Sequence, residues 1–297
     1  MHHTSHKINL RQERDFGEKL NATFHFIKAN FKPLFRAILL YVTPVALLAG
    51  IFSGLYQARL FQAISGNGDY NTYGEYSFFQ QVTSLNYIVM LFFVMLGYIM
   101  VALVVHSFMV VYMDSDEGTV SPGAVWDNVK ANIVQGIYAG VGLGIVCFFG
   151  FFLLGFGLYL GVVCSIFFIV MIREETGVVE TMERCFYLIK RNWWATFGFL
   201  IVVGFIQGII GWLGSFPAGI VMVLRLFGIP GMESDVLLVV TNTIASIFTI
   251  YASAISMVAI SFQYFHLVEQ KDGFGWIEQV NLIGKRDNNT FKNEGDF

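Results

Sequence analysis

The stretch Ile133–Ile172 reads IVQGIYAGVGLGIVCFFGFFLLGFGLYLGVVCSIFFIVMI. It holds no Asp, Glu, Lys or Arg. A single helix of about 40 residues would be about 60 Å long, twice the ~30 Å hydrocarbon core of a bilayer. The run is therefore two crossings joined by a tight turn, and Gly150, Gly155 and Gly157 mark where that turn falls.

Four further apolar runs complete the set. The six expected spans are Leu34–Tyr56, Leu85–Tyr112, Ile133–Phe152, Leu154–Ile172, Ala195–Phe216 and Val236–Phe265. The even split of the long run also satisfies the charge pattern. With the N-terminus inside, sixteen Lys and Arg fall on the cytosolic side and two, Arg59 and Arg225, fall outside. That is the positive-inside asymmetry, and it places both termini in the cytosol. A single crossing at 133–172 would move the basic segment 173–194 to the wrong side.

Composition agrees. Hydrophobic residues make up 56% of the 297 residues and charged residues 13%, about half the charge of an ordinary soluble domain. The net charge of −3 gives no reason to expect a nucleic-acid partner. Cys147 and Cys164 lie in apolar runs and Cys185 in a cytosolic helix, so all three read as reduced packing residues. The first 30 residues are polar or amphipathic and show no cleavable signal peptide.

One phrase recurs three times. It is Phe24-x-x-Ile27-Lys28-x-Asn30-Phe31, then Trp126-x-x-Val129-Lys130-x-Asn132-Ile133, then Phe186-x-x-Ile189-Lys190-x-Asn192-Trp193. On a helix the first aromatic, the Ile or Val and the closing residue share one stripe, with Lys at its edge. There the lysine stem lies on lipid while its ammonium reaches phosphate. Each phrase is thus expected to be an amphipathic helix on the cytosolic leaflet. Asn30, Asn132 and Asn192 are expected to cap the spanning helix that follows. The resulting expectation is an all-α polytopic fold, a single membrane domain over 1–285. Three units (about 15–113, 120–173 and 177–270) each place an interfacial helix before a helical hairpin. A last interfacial helix at about 273–284 carries Trp276, Ile277, Val280 and Ile283, and 286–297 reads as a disordered tail. Loop 56–84, with Gly66–Asn71, is turn-rich. The segment near Pro217 and Pro230 reads either as a broken helix or as a re-entrant piece.

Ionisable groups within spans are functional candidates by default. Arg36 is expected to snorkel from the first span, and Arg225 to anchor the outer surface. His106 reads either as a proton relay or as a hydrogen-bonded packing histidine. Span six carries Asn242, Ser246, Thr249, Ser253 and Ser256 on one face. That face, with Gln207 of span five as a partner, either lines a polar path or makes interhelical hydrogen bonds. No Asp or Glu occurs in a span, which argues against carboxylate-based ion coupling. Asp114, Asp116 and Glu117 read as a solvated acidic turn, with no metal and no cofactor expected. Glu180/Arg184 and Asp15/Lys19 have the spacing of surface helix pairs. GxxxG occurs at Gly50/Gly54, Gly136/Gly140/Gly144, Gly157/Gly161 and Gly204/Gly208 and fits close helix contacts. No GxSxG, HExxH, P-loop or CxxC is present, so no enzymatic constellation appears.

The interfacial helices, six spans and Lys-x-Asn-aromatic turn resemble the multi-pass membrane domain fused to some bacterial glycerophosphodiester phosphodiesterases and its stand-alone YciC-like relatives. The likeness covers about residues 15–284. In that family catalysis belongs to a separate soluble barrel, which has no counterpart here, so the resemblance implies an inner-membrane protein without a catalytic residue. Two functions fit the sequence. The first is a non-enzymatic scaffold or accessory factor acting on lipid or a protein partner at the cytosolic leaflet. The alternative is a permease or lipid-handling protein that uses the polar face of span six.

Overall fold

The computed structural model describes residues 7–65, 83–115, 118–152, 155–231 and 234–273. The regular secondary structure of the described residues is all helical, and six helices are long and apolar enough to cross a membrane. The elements are α1 (Phe16–Ala29), α2 (Phe31–Tyr41), α3 (Thr43–Ser65), α4 (Leu85–Asp114), α5 (Pro122–Phe152), α6 (Gly155–Cys164), α7 (Phe167–Glu174), α8 (Val178–Ile189), α9 (Trp193–Leu226) and α10 (Asp235–Asp272). The chain is a multi-pass membrane protein by the length and composition of these helices.

The bundle is packed unevenly along its length. Its main core lies at one end, here termed the capped end. There the last turns of α4 and α10 meet α1, α2, α7 and α8. Phe26 of α1, fully buried, touches Phe108, Tyr112 and Phe262 edge-on with ring centroids 6.2, 4.9 and 6.0 Å away. The segment before α1 is clipped over the same end. Lys7 Nζ donates to the carbonyls of Met113 and Ser115 (both 2.7 Å), where the C-terminal dipole of α4 favours a cation. Leu10 is buried beneath it. Helices α4 and α10, with 30 and 38 residues, would measure about 45 and 57 Å. Both exceed a bilayer core, and their surplus turns lie inside the capped end.

At the other, open end the contacts are between helix backbones. A Cβ on Gly50 would lie 2.9 Å from the Thr243 Cα, and one on Gly54 would lie 2.8 Å from the Val239 Cα. Only glycine permits this α3–α10 crossing. Gly136 and Gly140 of α5 instead receive the side chains of Leu103 and Ile99 of α4, whereas Gly161, Gly204 and Gly208 meet nothing within 4 Å. Of the five overlapping GxxxG matches, Gly50/Gly54 and Gly136/Gly140 have both glycines in close contact with another helix.

Several boundaries differ from expectation. The first span begins at Thr43, because Phe31–Tyr41 forms its own amphipathic helix and Pro44 sits in the first turn of α3, where its missing N–H costs nothing. Arg36 therefore lies on α2, ahead of the span. Span four breaks at Ser165 and Ile166 between α6 and α7. Helix α9 continues through Pro217 to Leu226, so Arg225 ends a helix and is not in a loop. The close approach of Gly150 to Gly157, with a Cβ on Gly150 at 3.0 Å from the Gly157 Cα, matches the turn read from the glycines. Gly66–Asn71, Trp276–Ile283, the tail, Asp116 and Glu117 lie outside the described residues.

Candidate functional site

The three copies of the phrase fold in three ways. In the first, α1 ends at Asn30 and α2 starts beside it. Asn30 makes no side-chain cap for α2; its amide instead donates back to the Phe26 carbonyl at 3.2 Å. The second copy lies wholly inside α5. Asn132 is mid-helix, donating to the Asn128 carbonyl at 2.9 Å, so no separate interfacial helix precedes that span. In the third the chain turns at Arg191, whose φ is 79°. Asn192 then donates to Gln270 Oε1 at 2.5 Å and does not cap α9. The expected N-caps fail for a geometric reason. Asn30 and Asn192 sit near φ −108° with ψ 17° and 13°, whereas a capping side chain needs the extended backbone that brings its oxygen over the first turn.

The other phrase residues sit as follows. Phe24, Lys28, Lys130 and Lys190 are exposed, and Ile27 and Phe186 are half-buried. Lys130 pairs with Asp127 at 2.9 Å. Trp126 stacks on Tyr41 with centroids 4.6 Å apart. Trp193 stacks on Phe197 and Tyr159 at 5.1 and 6.0 Å. These residues are spread around the capped end and do not converge on a site.

The polar face of span six divides. Asn242, Ser246 and Thr249 line a cavity of 720 Å³ between α3, α4, α9 and α10, toward the open end. Ser253 does not reach it; its hydroxyl bonds the Ile250 carbonyl at 2.6 Å. Gln207 accepts from Ser256 and is likewise absent from the lining. The cavity also takes Ser53 and Gln57 from α3, Tyr98 from α4 and Ser215 from α9, along with apolar groups such as Trp212 and Ile250. Asn242 Nδ2 donates to Gln57 Oε1 at 3.0 Å and to the Leu238 carbonyl at 3.2 Å. Ser215 and Thr249 face each other at 3.4 Å. Every polar group of the lining is neutral. The wall formed by α9 contains Pro217, which leaves the carbonyl one turn back without its helical donor and lets the helix bend. Sequence periodicity found the α10 side of this cavity. It missed Ser53, Gln57, Tyr98 and Ser215, which are isolated polar residues on three other helices.

His106 lies apart from the cavity, within the capped end. Its Nδ1 is 2.9 Å from Ser261 Oγ, and that hydroxyl donates to the Met257 carbonyl at 3.0 Å. A hydroxyl has one proton, so the imidazole Nδ1–H is the donor to Ser261. Nε2 is then a buried acceptor without a hydrogen-bond partner. His106 is thus held by one bond to α10.

Charged pairs also depart from sequence spacing. Arg184 bonds Glu174 at 3.0 Å and Asp272, and leaves Glu180 to close the N-terminus of α8 through the Gly177 N–H at 2.7 Å. Burial opposes its charge, but the hydrogen bonds it donates to Asp272 and Glu174 outweigh that and raise the guanidinium pKa. Asp15 caps α1 through the Glu18 N–H at 2.7 Å. Lys19, buried, donates to Gln263 Oε1 at 2.8 Å and lies over the Phe199 ring at 5.1 Å. Gln263 in turn donates to Thr196 at 2.9 Å. Burial lowers the Lys19 pKa, with Asp15 opposing the shift. Arg173 Nη1 donates to both carboxylate oxygens of Asp114, at 2.9 and 3.0 Å, and among the described residues no group of His, Cys, Asp and Glu is arranged to hold a metal.

The fold and its cavity define a polytopic α-helical membrane protein with an uncharged polar chamber within the bundle. Comparison with models of protein families, with curated proteins and with solved structures finds no match.

Proposed function

We propose that this chain is a non-enzymatic lipid-handling protein of the bacterial inner membrane, and that the cavity holds an amphiphile with an uncharged polar headgroup. The observation that carries this reading is the lining itself. A 720 Å³ chamber lined by amides and hydroxyls together with Trp212, Val94 and Ile250 suits a molecule that carries both polar and apolar groups. The lack of any charged lining group disfavours an ion or a strongly charged solute, for which desolvation would be uncompensated. The orientation, with both termini cytosolic, rests on the asymmetry of sixteen cationic side chains against two. The resemblance to the membrane domain of YciC-like proteins is consistent with this assignment.

The scaffold reading keeps one specific support: Lys28, Lys130 and Lys190 are all exposed at the capped end. Photo-crosslinking with a bifunctional lipid bearing a diazirine in its acyl chain tests the preferred function. Labels are expected on peptides containing Trp212, Ser215 and Asn242, and are expected to fall away in Asn242→Leu/Ser246→Leu. Labelling confined to the outward faces of the helices, unchanged by the substitutions, would leave the scaffold as the function.

A further inference from the structure

On the opposite face of α10 from the cavity, an apolar groove of 500 Å³ runs between α2, α9 and α10. Its floor is Ile247, Phe248 and Ala252 of α10, and its roof is Phe31, Phe35 and Ile38 of α2. Amphipathic α2 therefore does not seat its apolar face fully on the bundle. Phe31 and Phe35 remain 56% and 40% exposed although they stack on each other at 5.6 Å. One polar contact is made close by, where Thr43 and Tyr251 hydroxyls meet at 2.5 Å.

The surroundings of the groove are basic. Lys28 follows Ile27, and Lys32 follows Phe31, both of which line it; Arg36 lies one helical turn beyond Lys32. All three side chains are exposed, and among the described residues none of the three makes an ion pair. A lysine stem beside the groove has the reach to set its ammonium at headgroup level. Neighbouring basic groups near a bilayer attract anionic lipid. An apolar slot flanked by three unpaired cations is complementary to a single class of molecule, an anionic phospholipid with one acyl chain in the slot and its phosphate among the cations.

We infer that the groove between α2 and α10 is a binding site for one anionic phospholipid of the leaflet at the capped end, distinct from the amphiphile cavity. In this role α2 is a clamp. Its apolar face covers the chain and its basic face holds the headgroup.

The experiment is native mass spectrometry of the full chain released from nanodiscs of phosphatidylglycerol, phosphatidylcholine or their mixture. Three proteins are compared: the wild type, Lys28→Gln/Lys32→Gln/Arg36→Gln, and Ala252→Phe, which fills the floor of the groove. The wild type is expected to retain one phosphatidylglycerol selectively. The triple substitution, all at exposed sites and so without effect on folding, is expected to reduce that preference about a hundredfold. Ala252→Phe is expected to lose the retained lipid. Equal retention by all three proteins overturns the site. So does loss in the triple variant alone, which would make the cations a general surface patch. Loss in Ala252→Phe alone, with both lipids held equally, overturns the anionic assignment. A dimer mass without lipid would show a second copy in the groove and overturn it as well.

Discussion

Replacing Gly50 and Gly54 with alanine tests the central crossing. Each added Cβ would stand 2.9 or 2.8 Å from a Cα of α10, where carbon contacts are ordinarily about 3.5–4.0 Å. To relieve both, α3 must retreat by about 1 Å. Overpacking of this kind costs about 1–3 kcal/mol, and one retreat relieves both positions, so the two costs are not additive. Alanine restores about 0.5–1 kcal/mol per glycine in helix propensity. Relative to a glycine pair that meets open space and gains the same propensity, the expected effect is a loss of about 1–3 kcal/mol, with weakening of the Gln57–Asn242 bond that spans the same seam. The assay is unfolding in mixed micelles of increasing sodium dodecyl sulfate, followed by tryptophan fluorescence. Gly204→Ala/Gly208→Ala is the control, because nothing lies within 4 Å of either position. It is expected to be neutral or stabilising. If the two double variants unfold at the same detergent fraction, α3 and α10 do not touch where the structure places them, and the cavity boundary they define is wrong.

Three further outcomes are expected. Asn242→Leu should strip the Gln57 amide of its partner and cost about 1–3 kcal/mol, while Ser253→Ala, which loses only a bond to its own helix, should cost under about 1 kcal/mol in the same titration. Arg184→Lys should destabilise nearly as much as Arg184→Ala, because a single ammonium cannot hold Glu174 and Asp272 together; parity of Arg184→Lys with the wild type would contradict the bridge. Lys19 binds a proton less readily when folded than when unfolded, so stability should rise with pH below the ordinary lysine pKa. Lys19→Met should flatten that slope relative to the wild type, and parallel stability-versus-pH curves would count against a buried ammonium.

The charges at Lys19 and Arg184 show where sequence reading stops. Their i,i+4 spacing pairs them with Asp15 and Glu180, yet each side chain crosses to another helix, because the capped end places them against Gln263 and between Glu174 and Asp272. Spacing reports which residues share a helix face. It carries no information about a better partner more than 80 residues away, such as Asp272 for Arg184. The recurring phrase makes the same point. Asn is favoured at a cap, but Asn132 finds itself in an unbroken helix, since apolar contacts on both sides of it outweigh about 1 kcal/mol of cap preference.

The sequence by itself determined the solvent of this protein and the number of its crossings. Both depend on the length of apolar runs set against a fixed bilayer thickness, which is a one-dimensional quantity. It also placed Asn242, Ser246 and Thr249 on one helix face together with Ser253 and Ser256, because helical periodicity fixes which side chains share a side. Which helices meet was decided only in three dimensions. Gln57, Tyr98 and Ser215 join those three residues, while Ser253 and Gln207 turn away, because the crossing of α3 and α10 and the bend available to α9 at Pro217 set the volume between them. No local pattern encodes that volume. It is what remains after four helices have packed as closely as their glycines allow.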